Sequence, residues 1–159
     1  MEDLSRRVGE QLKRAGGVLV TAESCTGGWV AQAVTSIGGS SEWFDRGFVV
    51  YSNAAKREML GVSEQTLAIH GAVSEETARE MARGALERSR GTLALAVTGI
   101  AGPGGGSAAK PVGMVCFAWA GKAGRVRSET RRLEGDRESV RRQSVIRALE
   151  GVLEALAGR

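Results

Sequence analysis

Short apolar segments alternate with amphipathic ones along almost the whole chain, and this alternation restricts the fold more than any other feature of the sequence. Leu4, Val8, Leu12 and Ala15 recur at spacings of four, four and three, which puts them on one face of a helix from Leu4 to Ala15, stopped by Gly16-Gly17. Val18-Leu19-Val20-Thr21 reads as a buried strand, and a helical stretch follows from Trp29 to about Ile37. Gly38-Gly39-Ser40-Ser41 breaks the chain before a second strand, Phe44 to Tyr51, rich in Val, Phe and Tyr. Ser52-Asn53 suits the N-cap of a helix from Ala54 to Leu60, closed by Gly61. Ser74-Glu75-Glu76-Thr77 starts another, running to about Arg90. Thr92 to Thr98 is an apolar strand, and Val112 to Ala120 with Arg125 to Leu133 reads as a hairpin across Gly121-Lys122-Ala123-Gly124. Asp136 opens a last long helix with Val140, Ile146, Leu149, Val152, Leu153 and Leu156 on its apolar face. Strands alternating with helices and then a hairpin predict an α/β fold, a three-layer α/β/α sandwich with a mixed sheet. With 159 residues and no repeat, linker or low-complexity tail, a single domain over 1–159 is expected.

Composition closes off several function classes. Hydrophobic residues at 42% and charged residues at 25% fit an ordinary globular chain and exclude disorder. The longest apolar run, around Leu93 to Val97, falls far short of the ~20 residues a membrane helix needs. The N-terminus, MEDLSRRVGEQLKRAGG, has neither an apolar h-region nor a small-residue cleavage site, so a cytoplasmic location is expected. Cys25, Cys116 and the lone His70 are too few for a disulfide framework or a fully protein-ligated zinc, so no metal or cofactor is expected. The net charge of +4 is concentrated: between Arg125 and Arg147 eight arginines stand against Glu129, Glu134, Asp136 and Glu138, while the charges elsewhere cancel. That surplus reads as a solvated helix face or as an anion-binding edge for a phosphate. The seven aromatics do not interleave with it, so no base-stacking platform and no nucleic-acid partner are expected.

Candidate chemistry lies in three segments. Thr21-Ala22-Glu23-Ser24-Cys25-Thr26-Gly27-Gly28 sets hydroxyls and a thiol between a strand and a helix N-terminus, where free N–H groups can hold an anion or a developing oxyanion. Equally, Ser24 or Thr26 could merely cap that helix. The loop from Gly99 to Ser107 matches neither familiar phosphate fingerprint; its glycines either bring backbone amides close to a ligand or form a mobile connection. His70 sits in a Gly-flanked turn and no serine has an elbow motif, so a serine–histidine triad has little basis. A lysine of lowered pKa can take a serine proton directly or through a tyrosine. Tyr51 and Lys56, five residues apart across a strand end and a helix start, can be aimed at one cleft, although most lysines are solvated. A rival pair is Cys25 with His70, since helix N-termini lower a thiol pKa.

Taken in order, TAESCTGG at 21–28, VVYSNAAK at 49–56, GAVSEETA at 71–78, AVTGIAGPGGGSAAKPVG at 96–113 and GDRESVRRQ at 135–143 resemble the CinA C-terminal domain family, with the likeness extending from about Leu4 to Leu156. The resemblance implies hydrolysis of the carboxamide of nicotinamide mononucleotide to nicotinate mononucleotide and ammonia, without a metal. It implies Ser24 as the acylated nucleophile, Lys56 as general base and Tyr51 as proton relay or positioning hydroxyl. Oxyanion donors are then expected among the backbone N–H groups of Cys25, Thr26, Gly27 and Gly28, or of Thr98 and Gly99. The 5′-phosphate is expected on Gly102, Gly104, Gly105 and Ser107 with Lys110, helped by Arg141 or Arg142. A homo-oligomer is expected too, from the resemblance and from tryptophan-containing segments read as exposed. The alternative reading is a nucleotide-binding module without turnover.

Overall fold

Strands β1 (Leu19–Glu23), β2 (Phe44–Val49), β3 (Leu93–Gly99), β4 (Met114–Gly121) and β5 (Val126–Arg132) form one sheet in the order β2-β1-β3-β4-β5 in the computed structural model, which describes residues 1–158. β1 runs parallel to both β2 and β3, whereas β4 is antiparallel to β3 and β5. The sheet is therefore mixed, as the alternation and the closing hairpin imply. Helices α1 (Glu2–Ala15), α2 (Trp29–Thr35) and α6 (Arg137–Ala157) cover one face, while α3 (Asn53–Leu60) and α5 (Glu75–Glu87) cover the other. A further short helix, α4 (Glu64–His70), packs against α5. No helix among the described residues is long and apolar enough to cross a membrane.

The pleat of the central strands sorts the core by size. Along Leu93-Ala94-Leu95-Ala96-Val97, the large side chains join the core under α1, α2 and α6, and the alanines join the core under α5. Cys116, Ala118 and Ala120 of β4 continue the small surface, opposite Val115, Phe117 and Trp119 on the other face. A surface of alanines lets α5 lie close, and α5 in turn leaves no room for a side chain at Gly84, where a Cβ would meet the Leu60 carbonyl at 1.9 Å.

Two helical glycines correct one sequence expectation. A Cβ at Gly9 of α1 would lie 2.6 Å from the Trp43 ring, and one at Gly151 of α6 would lie 2.0 Å from the Trp119 ring. These slots draw Trp43 and Trp119 into the interior, each 2% exposed, and Trp29 is half-buried. The tryptophans therefore give no support to an exposed association surface.

Capping sets the helix limits close to those expected. Gly16 and Gly61 end α1 and α3 in the left-handed region, and the side chains of Ser52, Ser74 and Asp136 accept from the N–H groups of Ala55, Thr77 and Ser139. β2 stops at Val49; the Val50 N–H still donates to the Glu23 carbonyl at the end of β1, and Tyr51 lies beyond the strand. α4 departs from the reading of this stretch as a turn: Ser63 caps it, accepting from Thr66 N–H, and His70 is its last residue. It buries no residue, so no apolar periodicity marked it.

Candidate active site

The chain passes from β1 to β2 on one side and later to β3 on the other, so neighbouring parallel strands end side by side at a switch point of the sheet, the place where open α/β sheets hold ligands. β1 delivers the Ser24 turn there and β3 delivers the glycine loop. The Ser24 N–H donates to the Val97 carbonyl at 2.9 Å, tying the turn to the neighbouring strand. A cavity of about 250 Å³ opens between them, bordered by Ser24, Tyr51, Asn53, Lys56, Thr98 and the glycine loop.

Lys56 reaches this cavity from α3. It occupies the inward face of that helix together with Leu60, one turn on, and is 1% exposed. Its Nζ lies 3.0 Å from Ser24 Oγ, 3.0 Å from the Val50 carbonyl and 3.2 Å from the Tyr51 carbonyl. None of these contacts is a carboxylate, and desolvation by burial holds Lys56 below the ordinary lysine value. The two carbonyls can only accept, so Nζ directs N–H groups to both of them, and its third contact is the Ser24 hydroxyl.

Tyr51 divides its roles between main chain and side chain. Its carbonyl meets Lys56, and Ser24 Oγ lies 3.5 Å from it. Tyr51 is 62% exposed, and its hydroxyl accepts from Arg137 Nη2 at 3.2 Å at the rim. Among the described residues, no hydrogen bond joins that hydroxyl to Ser24 or Lys56.

The rival thiol pair is not assembled. Cys25 borders the cavity but is buried against the apolar core, and burial pushes its thiol up to about 12, the reverse of the lowering a nucleophile needs. His70, at the end of α4, faces Glu76 at 3.9 Å and does not border the cavity.

The other expected residues divide sharply. Thr98, Gly99, Gly102, Gly104 and Gly105 border the cavity, with the Thr98 hydroxyl donating to the Ala72 carbonyl at 2.8 Å. Thr26, Gly27 and Gly28 form the turn behind it; the Thr26 hydroxyl donates to Glu23 Oε1 at 2.7 Å. Ser107 and Lys110 close a turn beyond the cavity, and the Lys110 ammonium donates to the His70 carbonyl. Arg141 donates to the carbonyls of Cys25 and Thr26, and Arg142 pairs with Glu138. Neither arginine borders the cavity. Much of the C-terminal positive surplus is likewise neutralised locally, as Arg147 with Glu129 and Glu154, Arg127 with Glu154, and Arg131 with Glu129.

Residues not singled out from sequence complete the site. Arg137, the first residue of α6, donates to the Gly102 carbonyl at 2.7 Å and borders the cavity. Its signal was the cap: an Asp136 N-cap places the next residue on the first turn, beside whatever the helix start approaches. Glu23 is fully buried, and its carboxylate accepts from Thr26 Oγ1, Val30 N–H at 2.8 Å and Ala31 N–H at 3.0 Å, capping α2. Asn53 also borders the cavity.

A larger cavity, about 760 Å³, lies where β3 begins and β4 ends, at the other end of the strands from Ser24. It is bordered by Leu93, Ala123, Val126, Thr92 and charged side chains, whereas the Ser24–Lys56 contact lies at the smaller one. Among the described residues no three His, Cys, Asp or Glu side chains group as metal ligands.

The profile of the CinA C-terminal domain family matches residues 1–156. A protein named nicotinamide-nucleotide amidohydrolase PncC from Escherichia coli (strain K12) is 55% identical over 147 residues, covering 92% of this chain and 89% of its own length. The protein of the same name from Enterobacter agglomerans is 54% identical over 153 residues, 96% of this chain and 93% of that one. The crystal structure of competence/damage inducible protein CihA from Agrobacterium tumefaciens is similar with a TM-score of 0.94 at 52% identity, covering 98% of this chain and 94% of its own. A CinA superfamily protein from Klebsiella pneumoniae reaches 0.96 at 40% identity, over 99% and 98% of the two chains.

Proposed function

The chain belongs to the CinA C-terminal domain family, and on that premise we propose that it is an amidohydrolase of nicotinamide nucleotides, splitting the carboxamide of nicotinamide mononucleotide into nicotinate mononucleotide and ammonia. The names of its PncC relatives support the substrate class. The observation that carries the mechanism is the buried Lys56 amine, without a carboxylate partner, 3.0 Å from Ser24 Oγ.

Neutral Lys56 takes the Ser24 proton as Oγ adds to the carboxamide carbon. The oxyanion that forms is met by backbone N–H groups of the Ser24 turn or of Thr98 and Gly99, each such donor contributing about 3 kcal/mol. The Lys56 ammonium then protonates the amide nitrogen, the C–N bond breaks and ammonia leaves an acyl-serine. Water, deprotonated by the same amine, releases the carboxylic acid and restores the serine. Two carbonyls hold Lys56 in place through both steps. The Tyr51 hydroxyl serves as a positioning group at the rim rather than as a relay, because its partner is Arg137. We place the 5′-phosphate at Arg137 and the amides of Gly102, Gly104 and Gly105, since a guanidinium has more donors than Gly102 and Tyr51 use. The same reading puts the enzyme in the cytoplasm as a homo-oligomer with no nucleic-acid partner.

Purified protein incubated with nicotinamide mononucleotide is expected to release ammonia, and Ser24→Ala to release none above background. Bound but unchanged substrate with the wild-type protein, at high protein concentration, would favour a nucleotide-binding module without turnover.

A further inference from the structure

We propose that Arg141 is a positioning residue that fixes the Ser24 turn from the last helix, an inference that rests on Ser24 being the nucleophile. The turn between β1 and α2 is gripped from two sides. On its amide side the buried Glu23 carboxylate takes the Thr26 hydroxyl and the first free N–H groups of α2. On its carbonyl side Arg141 Nε donates to the Cys25 carbonyl at 3.0 Å and Nη2 to the Thr26 carbonyl at 3.1 Å. The two donors sit along one edge of a rigid planar fork, which matches two acceptors in a way a single ammonium cannot.

The fork is itself held. Its carbon lies 5.4 Å from the centre of the Trp29 ring, and Trp29 is the first residue of α2. Nη2 also lies 3.5 Å from the point a Gly27 Cβ would occupy, so the turn and the guanidinium are in close contact. In a trans peptide the N–H points opposite the preceding C=O. Holding the Cys25 carbonyl toward α6 therefore turns the Thr26 N–H away from α6. Ser24 is tied at its N–H to Val97 and at its carbonyl to Gly27, and the Thr26 carbonyl also accepts from the Trp29 N–H, so the peptide between Cys25 and Thr26 is the one that depends on Arg141, through the Cys25 carbonyl. The phosphate role expected for Arg141 from sequence conflicts with this: its donors are turned to the back of the turn, while Arg137, one turn earlier on α6, is the arginine at the cavity.

The test uses the full chain and a fluorophosphonate probe, whose phosphorus takes Ser24 Oγ and loses fluoride while the proton passes to Lys56. Intact mass identifies the labelled residue and the time course gives the rate, with no nucleotide needed. Arg141→Ala and Arg141→Lys, both checked for folding by circular dichroism, are expected to label at least about 10-fold more slowly, since small misplacements of a reacting group cost up to about 10²-fold. kcat should fall by the same factor on nicotinamide mononucleotide and on its dephosphorylated riboside, with KM for the nucleotide within about 2-fold of wild type and the pH midpoint unmoved. Should Arg141→Ala unfold, Arg141→Lys decides alone, because it keeps the charge and the stem. Labelling of folded Arg141→Lys at the wild-type rate, or a loss confined to the phosphorylated substrate, would overturn the inference by itself. A wild-type chain that takes no probe at Ser24 would overturn the nucleophile reading along with it.

Discussion

The turn at 24–28 and the loop at 100–113 border the same cavity, yet they are held in opposite ways. Ser24, Cys25 and Thr26 are buried, and the turn is fastened by a carboxylate, a guanidinium and the neighbouring strand. Residues 103–109 of the loop are exposed, and the loop is tied at its base by Ile100 and Gly113 to the start of β4, with Arg137 reaching across to Gly102. Its shape comes from backbone conformation, with positive φ at Gly102, Gly105 and Gly113. The difference shows how rigidity is distributed: the turn that carries Ser24 is held by buried, satisfied polar groups, whereas the glycine wall is left near solvent.

The contrast can be broken most directly at the Ser24 side, under the proposed mechanism. Ser24→Ala is expected to lower ammonia release by at least about 10⁴-fold while leaving thermal unfolding little changed, because the hydroxyl acts in the reaction and not in the fold. Lys56→Arg should cost about 10²- to 10⁴-fold in kcat/KM, since arginine keeps its charge and has no lone pair to offer near neutral pH. In the wild type, kcat/KM should rise with pH through the lowered Lys56 value: below it Nζ is protonated and cannot accept, above it the amine is free. A profile that stays flat or falls over that range in steady-state ammonia assays would remove the lysine from the mechanism.

Smaller effects sharpen the comparison of the two walls. Glu23→Ala leaves the Thr26 hydroxyl and two N–H groups of α2 without their acceptor, and should lower the unfolding free energy by about 2 kcal/mol in denaturant titrations. Gly102→Ala meets both a φ of 84° and a Val112 methyl 2.5 Å from the new Cβ, and should cost about 1–2 kcal/mol. Gly104→Ala, with φ outside the left-handed region and nothing within 4 Å, should stay within about 0.5 kcal/mol of wild type. A Gly104→Ala loss as large as that of Glu23→Ala would mean that the loop is as firmly held as the turn.

Much of the fold was legible in local patterns. The Leu-Ala-Leu-Ala-Val run of β3, the serine and aspartate caps and the glycines after α1 and α3 each have a physical meaning within a few residues, and those elements stand within a few residues of where the patterns put them. α4 was not legible because it buries nothing. Burial of Trp43 and Trp119 was not legible either: the slots that admit them are at Gly9 and Gly151, far away in the chain.

The site divides along the same line. Residue types and order marked Ser24, Tyr51, Lys56 and the glycine loop as candidates, but could not separate a buried amine from a solvated one or a phosphate-holding arginine from a bracing one. Arg137 and Arg141 share a face of α6 one turn apart, and only the docking of that helix sends the first to the cavity rim and the second behind the turn. By itself the sequence determined an alternating α/β chain with a hydroxyl at one strand exit, an amine on a later helix and glycine where the backbone must bend. The tertiary structure alone decided that Lys56 and Ser24, 32 residues apart, meet at 3.0 Å, and that the amine does so out of water. The reason is that a lysine's protonation follows its desolvation and its partners, and both come from packing between segments that the chain itself keeps apart.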